Sequence, residues 1–190
     1  MKGILCLILS CMFFISCAVV TRPFSPLSNA KLASKLYDSR NGILQTRHWY
    51  AALKDDQTYL GSATLRLKRA EGDFANLTDQ EWGELKDVIG IMQKAARRAF
   101  KATNYNWSCL MNHAFKSPIP IPLVHIHFHP RYESERVFAG VTFSDKEFGK
   151  HYKPYTQRRV PNDVQKKIIR AYRQEINHLQ REYPDLEIVF

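Results

Sequence analysis

The run Val124-His125-Ile126-His127-Phe128-His129-Pro130-Arg131-Tyr132 alternates with a period of two. A β-strand points alternate side chains to the same face. The run is therefore read as a strand with His125, His127 and His129 on one face and Ile126 and Phe128 behind them in the core. Imidazole is the side chain best suited to being neutral, and so nucleophilic, near neutral pH. Three of them in a row mark a candidate site of chemistry. Two other readings stand beside this one. The histidines could be buried and hydrogen-bonded for structural reasons. They could instead bind zinc, since His-x-His on a strand presents two ligands. Cys109, His113 and His151 are then available as further ligands, and their spacing singles out none of them.

The 190 residues, 45% of them hydrophobic, suffice for one domain with a real core. His48 to Leu53 and Tyr59 to Leu67 alternate apolar and polar residues around Lys54-Asp55-Asp56-Gln57, which predicts a β-hairpin. Asn41-Gly42 before it is a turn signal. Thr78 and Glu81 have the spacing of a capping box. Trp82, Leu85, Val88, Ile89, Met92, Ala95, Ala96, Ala99 and Phe100 follow at spacings of three and four, so a helix over 78–102 is expected to pack one apolar stripe on a sheet. Strands are expected at about 106–112, 122–129 and 137–143, the last with Gly140 inside it. A C-terminal amphipathic helix from about Pro161 to Glu182 has Val164, Ile168, Ala171, Tyr172, Ile176 and Leu179 on its apolar face. Two strands, a long helix and three strands make an α+β order. There is no internal repeat, Gly-rich phosphate loop or paired zinc-cysteine motif.

The formal charge is +10, of which residues 1–30 contribute only Lys2 and Arg22. A basic body suits an anionic ligand, without separating a nucleotide from RNA or an acidic membrane. Residues 1–20 read as a secretory signal or a membrane or lipoprotein anchor: one basic residue, a long apolar run, then small residues. Phe14-Ile15-Ser16-Cys17 resembles a bacterial lipobox. Residues 21–32, with Pro23 and Pro26, are a linker, and 33–190 form the domain. The expected location is outside the cytosol or on a membrane; a misassigned start codon would instead leave a cytoplasmic protein. Cys109 alone belongs to the domain, so no internal disulfide is expected, and it is read as a small core residue.

The histidine strand and its surroundings resemble the histidine-triad nucleotide hydrolases and transferases, whose signature is His-φ-His-φ-His-φ-φ with φ apolar. Asn106-Trp107-Ser108-Cys109-Leu110-Met111-Asn112-His113-Ala114-Phe115, Phe138-Ala139-Gly140 and Glu147-Phe148-Gly149-Lys150-His151-Tyr152 are similar to a diadenosine tetraphosphate hydrolase-like branch, over about residues 33 to 180. Two registers fit. Taking Pro130-Arg131 and Asn112 as anchors puts the triad at 123, 125 and 127, with Leu123 in place of the first histidine. Taking the literal His-x-His-x-His makes His127 the middle position, with Pro130 one residue early. The two anchors favour the first. Ala70 after Lys68-Arg69, and the absence of a glutamine before the strand, are further departures.

The resemblance implies an antiparallel sheet of about five strands with one long packed helix and a C-terminal helix, and pairing into a homodimer. It implies cleavage at the α-phosphate of a dinucleoside polyphosphate or nucleoside phosphoramidate through a nucleotidyl-histidine. His125 would then be the nucleophile, with His127 and Asn112 on the phosphate. His129 would add a substrate contact, Arg131 would bind distal phosphates or make a structural pairing, and Asp55 or Asp56 would take the ribose hydroxyls. The family's histidine step uses no metal, and no cofactor is implied. A non-catalytic nucleotide- or RNA-binding protein on the same fold is the alternative.

Overall fold

The computed structural model describes residues 39–118, 120–152 and 157–190. The leader and linker expected over 1–32 lie outside them. The regular elements are β1 (Gly42–Gln45), β2 (Trp49–Leu53), β3 (Ala63–Leu67), α1 (Asp79–Phe100), β4 (Asn104–Ser108), β5 (His125–Arg131), β6 (Arg136–Phe138), β7 (Val141–Phe143) and α2 (Asn162–Leu179). Five strands form one antiparallel sheet in the order β1-β2-β3-β5-β4. The α+β architecture of a five-stranded sheet with one long and one C-terminal helix is thus present.

The histidine strand β5 lies inside the sheet. Ala63 and Leu65 of β3 face Phe128 and Ile126, and Trp107 of β4 faces Phe128 on the other side. Trp107 stacks on the Phe128 ring at 4.2 Å. These apolar residues join one core with Leu85, Val88, Ile91, Met92 and Ala95 of α1 and with Ile168, Tyr172 and Ile176 of α2. The start of α1 is built as its sequence dictates. The Thr78 hydroxyl accepts from the Glu81 backbone, and the Glu81 carboxylate accepts from Thr78 N–H at 2.8 Å. Glu84, one turn on, accepts from the Thr46 hydroxyl and from the backbone and ring of His48, tying α1 to the β1–β2 turn.

Several boundaries differ from expectation. Gly42 begins a strand instead of closing a turn; β1 pairs with β2, and Gln45 also bridges Val189 near the C-terminus. Residues 59–62 are not strand. Gln57, fully buried, gives Nε2–H bonds to the Lys54 and Ser62 carbonyls and accepts from Gly61 N–H. Tyr132 and Tyr172 donate to the Leu60 and Gly61 carbonyls. The β2–β3 connection is thereby pinned from three directions. The segment 137–143 is a separate two-stranded hairpin, β6–β7, with Ala139 and Gly140 at positive φ in its turn. On α1, Trp82 is 42% exposed and meets Phe74 edge to face, whereas Ile91 is fully buried in the stripe.

Of the two roles open to Arg131, distal phosphates or a structural pairing, the structure has the pairing. Its guanidinium pairs with Asp145 through two bonds of 2.6 and 3.0 Å, and the two side chains are 2% and 0% exposed. It also donates to Asn106 Oδ1 and to the Lys150 and Glu147 carbonyls, and lies over the Tyr59 ring. All three guanidinium nitrogens are committed within the protein. Arg131 is a clasp that holds the segment after β7 against β5 and β4. Removing one partner leaves the other charge buried alone. Arg131→Ala is accordingly expected to lower stability by about 3–5 kcal/mol, read by denaturant unfolding. A stability unchanged within about 0.5 kcal/mol, with weakened ligand binding, would return Arg131 to the substrate.

Candidate active site

The pleat of β5 brings His125, His127 and His129 to the face opposite the helices. Each histidine differs from its neighbours in what holds it. Nδ1 of His125 is 2.8 Å from the Leu123 carbonyl. A carbonyl only accepts, so the proton is on Nδ1 and Nε2 carries the lone pair. Burial pushes this imidazole's pKa down; the Leu123 bond works the other way, and the charges of Arg66 and Lys54 lower it further. The His127 ring meets His125 edge to face at 4.9 Å. Its Nδ1 is buried with no hydrogen-bond partner among the described residues. Burial first, then the Lys54, His125 and Arg66 charges, bring its pKa down to about 4.

His129 is almost fully buried. Its Nδ1 is 3.1 Å from the Ser62 hydroxyl, which itself donates to the Tyr59 carbonyl at 2.8 Å. The hydroxyl proton being spent there, His129 Nδ1 is the donor. Tyr59 meets its ring edge on and Tyr152 lies 4.6 Å away. Burial, mainly, brings its pKa down to about 3. Tyr152 also shares a hydrogen bond of 2.9 Å with Ser108.

The two aspartates of the β2–β3 connection part company. Asp56 shares a small cleft with Lys54, Tyr59, His127, His129 and Tyr152. Its Oδ1 accepts from Thr58 N–H and hydroxyl and from Arg158 N–H. Asp55 instead takes a bond from Asn41 and lines a different hollow with Arg40, Arg159 and Lys166 beside the start of α2. No histidine lines that hollow, so of the pair Asp55 or Asp56 it is Asp56 that shares a cleft with the histidines. Asn112, expected in a strand, opens an exposed 3₁₀ turn, Asn112–Lys116. Neighbouring Met111, His113 and Ala114 line a hollow of about 370 Å³ beside His125, and Asn112 does not. Among the described residues, no three of His, Cys, Asp and Glu are grouped to share a metal ion. Cys109 is half-buried, and burial pushes its thiol pKa up.

Sequence reasoning missed Lys54 and Arg66. Arg66 is the polar residue of an alternating strand, and it stands opposite His125 only through the β3–β5 register. Lys54 is half-buried; burial lowers its pKa, partly offset by Asp56. Together they place two cationic side chains around a neutral imidazole.

No protein-family model matches the sequence, and no curated protein does. Solved structures do match. A hypothetical histidine triad nucleotide-binding protein from Sulfolobus tokodaii aligns over 80% of this chain and 93% of its own, at 15% identity and TM-score 0.56. A zinc-bound histidine triad family protein from Mycobacterium smegmatis aligns over 83% and 99%, at 16% identity and TM-score 0.56. An uncharacterized protein aligns over 90% and 95%, at 14% identity and TM-score 0.64. The chain has the histidine-triad fold; at these identities the likeness is one of fold.

The buried imidazoles make stability depend on pH. Native pKa values of about 4 and 3 for His127 and His129, against the ordinary 6.5, mean that the unfolded chain binds more protons between those limits. Their contribution is whole above pH 6.5 and is lost as the pH falls toward the native values. Glu81, held down to about 2 by its hydrogen bonds from Arg69, adds a loss only below the ordinary carboxylate range. The unfolding midpoint is expected to drop steadily from pH 6.5 to 4.5, and to drop less in His127→Gln. A flat profile in that window would contradict the neutral, buried assignment.

Proposed function

We propose that the chain is a nucleotide phosphohydrolase or nucleotidyl transferase that works at an α-phosphate through a nucleotidyl-His125 intermediate. The observation that carries this is the bond from His125 Nδ1 to the Leu123 carbonyl. It fixes the tautomer and leaves the lone pair on Nε2, which is what an imidazole nucleophile requires. It also favours the register in which Leu123 replaces the first histidine, because a backbone carbonyl needs no particular side chain at that position. His127, whose Nδ1 has no such partner among the described residues, is the weaker candidate.

The step is a displacement at phosphorus. Nε2 attacks, the P–N bond forms, and the bond from phosphorus to the leaving oxygen or nitrogen breaks with its electron pair going to that atom. A leaving nitrogen takes up a proton from solvent; water then attacks the same phosphorus and gives up its proton to solvent, the P–N bond breaks, and Nε2 recovers its lone pair. Little covalent help is needed beyond position and charge. Lys54 and Arg66, which bear electrostatically on the His125 ring, supply the charge. In this reading His127 contacts the phosphate. Asp56, on the same cleft as His127 and Lys54, is retained for the ribose; Asn112 carries no role in this reading. The likeness to a histidine triad nucleotide-binding protein of Sulfolobus tokodaii and to a histidine triad family protein of Mycobacterium smegmatis supports the same class.

The test is intact mass after incubation with dinucleoside polyphosphates and nucleoside phosphoramidates, alongside turnover. His125→Ala should abolish the nucleotidyl adduct and reduce turnover by several orders of magnitude, with the fold retained by circular dichroism. An adduct kept by His125→Ala and lost by His127→Ala would move the nucleophile to the next histidine along the strand. Tight nucleotide binding without any adduct or turnover would leave a binding protein.

A further inference from the structure

A second hollow, of about 500 Å³, opens beside the start of α2, and no histidine lines it. Its volume is in the range of small-molecule sites. Arg40, Arg159 and Lys166 stand around it with a single carboxylate among the described residues, Asp55. Neither Arg159 nor Lys166 has a carboxylate partner among those residues; Asp163, in the same helical turn as Lys166, is paired with Lys167 at 3.3 Å. The amides of Asn162 and Gln165 share the wall, and the buried Val160 and Ile169 complete it. The wall is held in place by bonds behind it. Gln57 N–H donates to the Arg158 carbonyl at 2.8 Å, and Arg158 N–H donates to Asp56 Oδ1 at 3.0 Å. These fasten the chain at Arg159 to the connection that carries Asp55. Arg173 donates to the Gly42 carbonyl at 2.8 Å, fastening α2 to the start of β1 next to Asn41. The Arg158 guanidinium is turned to the Thr142 carbonyl and the Phe143 ring and takes no part in the hollow. An occupant therefore has little backbone to order.

Asp55 narrows what that occupant is. Its Oδ1 accepts from Asn41 Nδ2 at 3.3 Å, and its Oδ2 has no partner among the described residues. An ionised carboxylate only accepts. It repels a bare anion and takes hydrogen bonds from hydroxyls. The two cations make the opposite demand, since a guanidinium fork and an ammonium are matched by phosphate oxygens. One molecule meets both demands if it carries a phosphate and free hydroxyls.

We propose that this hollow is a binding site for a phosphorylated polyol of the glycerol phosphate type. Arg159 and Lys166 take the phosphate oxygens, and Asp55 accepts from a hydroxyl. Asn162 and Gln165 offer amide donors and acceptors to the remaining hydroxyls. The same chemistry is carried by free glycerol phosphate and by the headgroup of phosphatidylglycerol. The site is separate from the histidine row and does not rest on the nucleotidyl-His125 reading. It binds its ligand without making or breaking a covalent bond.

The experiment is equilibrium dialysis of the full chain against radiolabelled sn-glycerol 3-phosphate, with inorganic phosphate as the comparison anion. The expected result is saturable binding at least about tenfold tighter than that of inorganic phosphate. Arg159→Gln and Lys166→Gln should each weaken it about tenfold or more. Asp55→Asn should bring it down to the level of inorganic phosphate. All three side chains are exposed, so the substitutions leave the core intact, which circular dichroism checks. His125→Ala should bind as the unaltered chain does. Repeating the dialysis with phosphatidylcholine or phosphatidylglycerol vesicles separates the two sources. Displacement of the label by phosphatidylglycerol alone assigns the site to a lipid headgroup, and equal binding with both vesicles assigns it to the free compound. Absence of saturable binding overturns the proposal, as does binding that survives in both Arg159→Gln and Lys166→Gln. Inorganic phosphate bound as tightly as glycerol phosphate overturns the polyol assignment. Loss of binding in His125→Ala would put the ligand at the histidine row and overturn the separate site.

Discussion

Everything in this molecule depends on β5 keeping its register between β3 and β4. The side-chain period of a strand is two, so a slip by one residue would turn the histidines into the core and Phe128 out of it. Burial of Ile126 and Phe128 against Leu65, Ala63 and Trp107 forbids that slip. Burying one large apolar side chain contributes roughly 1.5–3 kcal/mol, and two of them sit on this one strand. The chemistry-bearing face is therefore held by the face that carries none. Arg131 and Asp145 extend the same logic: a buried ion pair at the end of β5 holds the chain after β7 in place, and Tyr152 reaches His129 from there.

The three imidazoles then differ through their surroundings. All are taken from water, which disfavours the charged form. His125 gains a carbonyl for Nδ1 and keeps Nε2 free of that demand. His129 gains the Ser62 hydroxyl and two aromatic neighbours, and serves packing as much as chemistry. His127 lies between them with Nδ1 buried and unpartnered among the described residues. An unsatisfied buried polar atom costs stability, and such sites recur where function overrides packing. Lys54 and Arg66 add positive charge that keeps the rings neutral and that an anionic substrate would offset.

What could be read from the sequence was local. The capping box of Thr78 and Glu81, the three-and-four spacing behind it, and the period of two in 124–132 each report on a few neighbouring residues, and the structure has the long helix and the central strand they predict. What could not be read depends on partners distant along the chain. Gly42 to Gln45 is short and follows a turn signal, and its strand identity comes from β2 and from Val189. Arg131 is a basic residue beside three histidines, and only the return of Asp145 and the 147–150 carbonyls reveals it as a clasp. Asp55 and Asp56 are adjacent, yet the loop that Gln57 organises sends them to different hollows. Arg66 becomes a site residue only through strand register.

The most direct measurement of the central claim is the tautomer of His125, read by long-range ¹H–¹⁵N correlation NMR on the free protein at pH 7. The expected spectrum is that of a neutral ring with the proton on Nδ1 and an unprotonated Nε2, holding its neutral form to a pH below the ordinary histidine range. A ring protonated on Nε2 alone, or an imidazolium at pH 7, would contradict it.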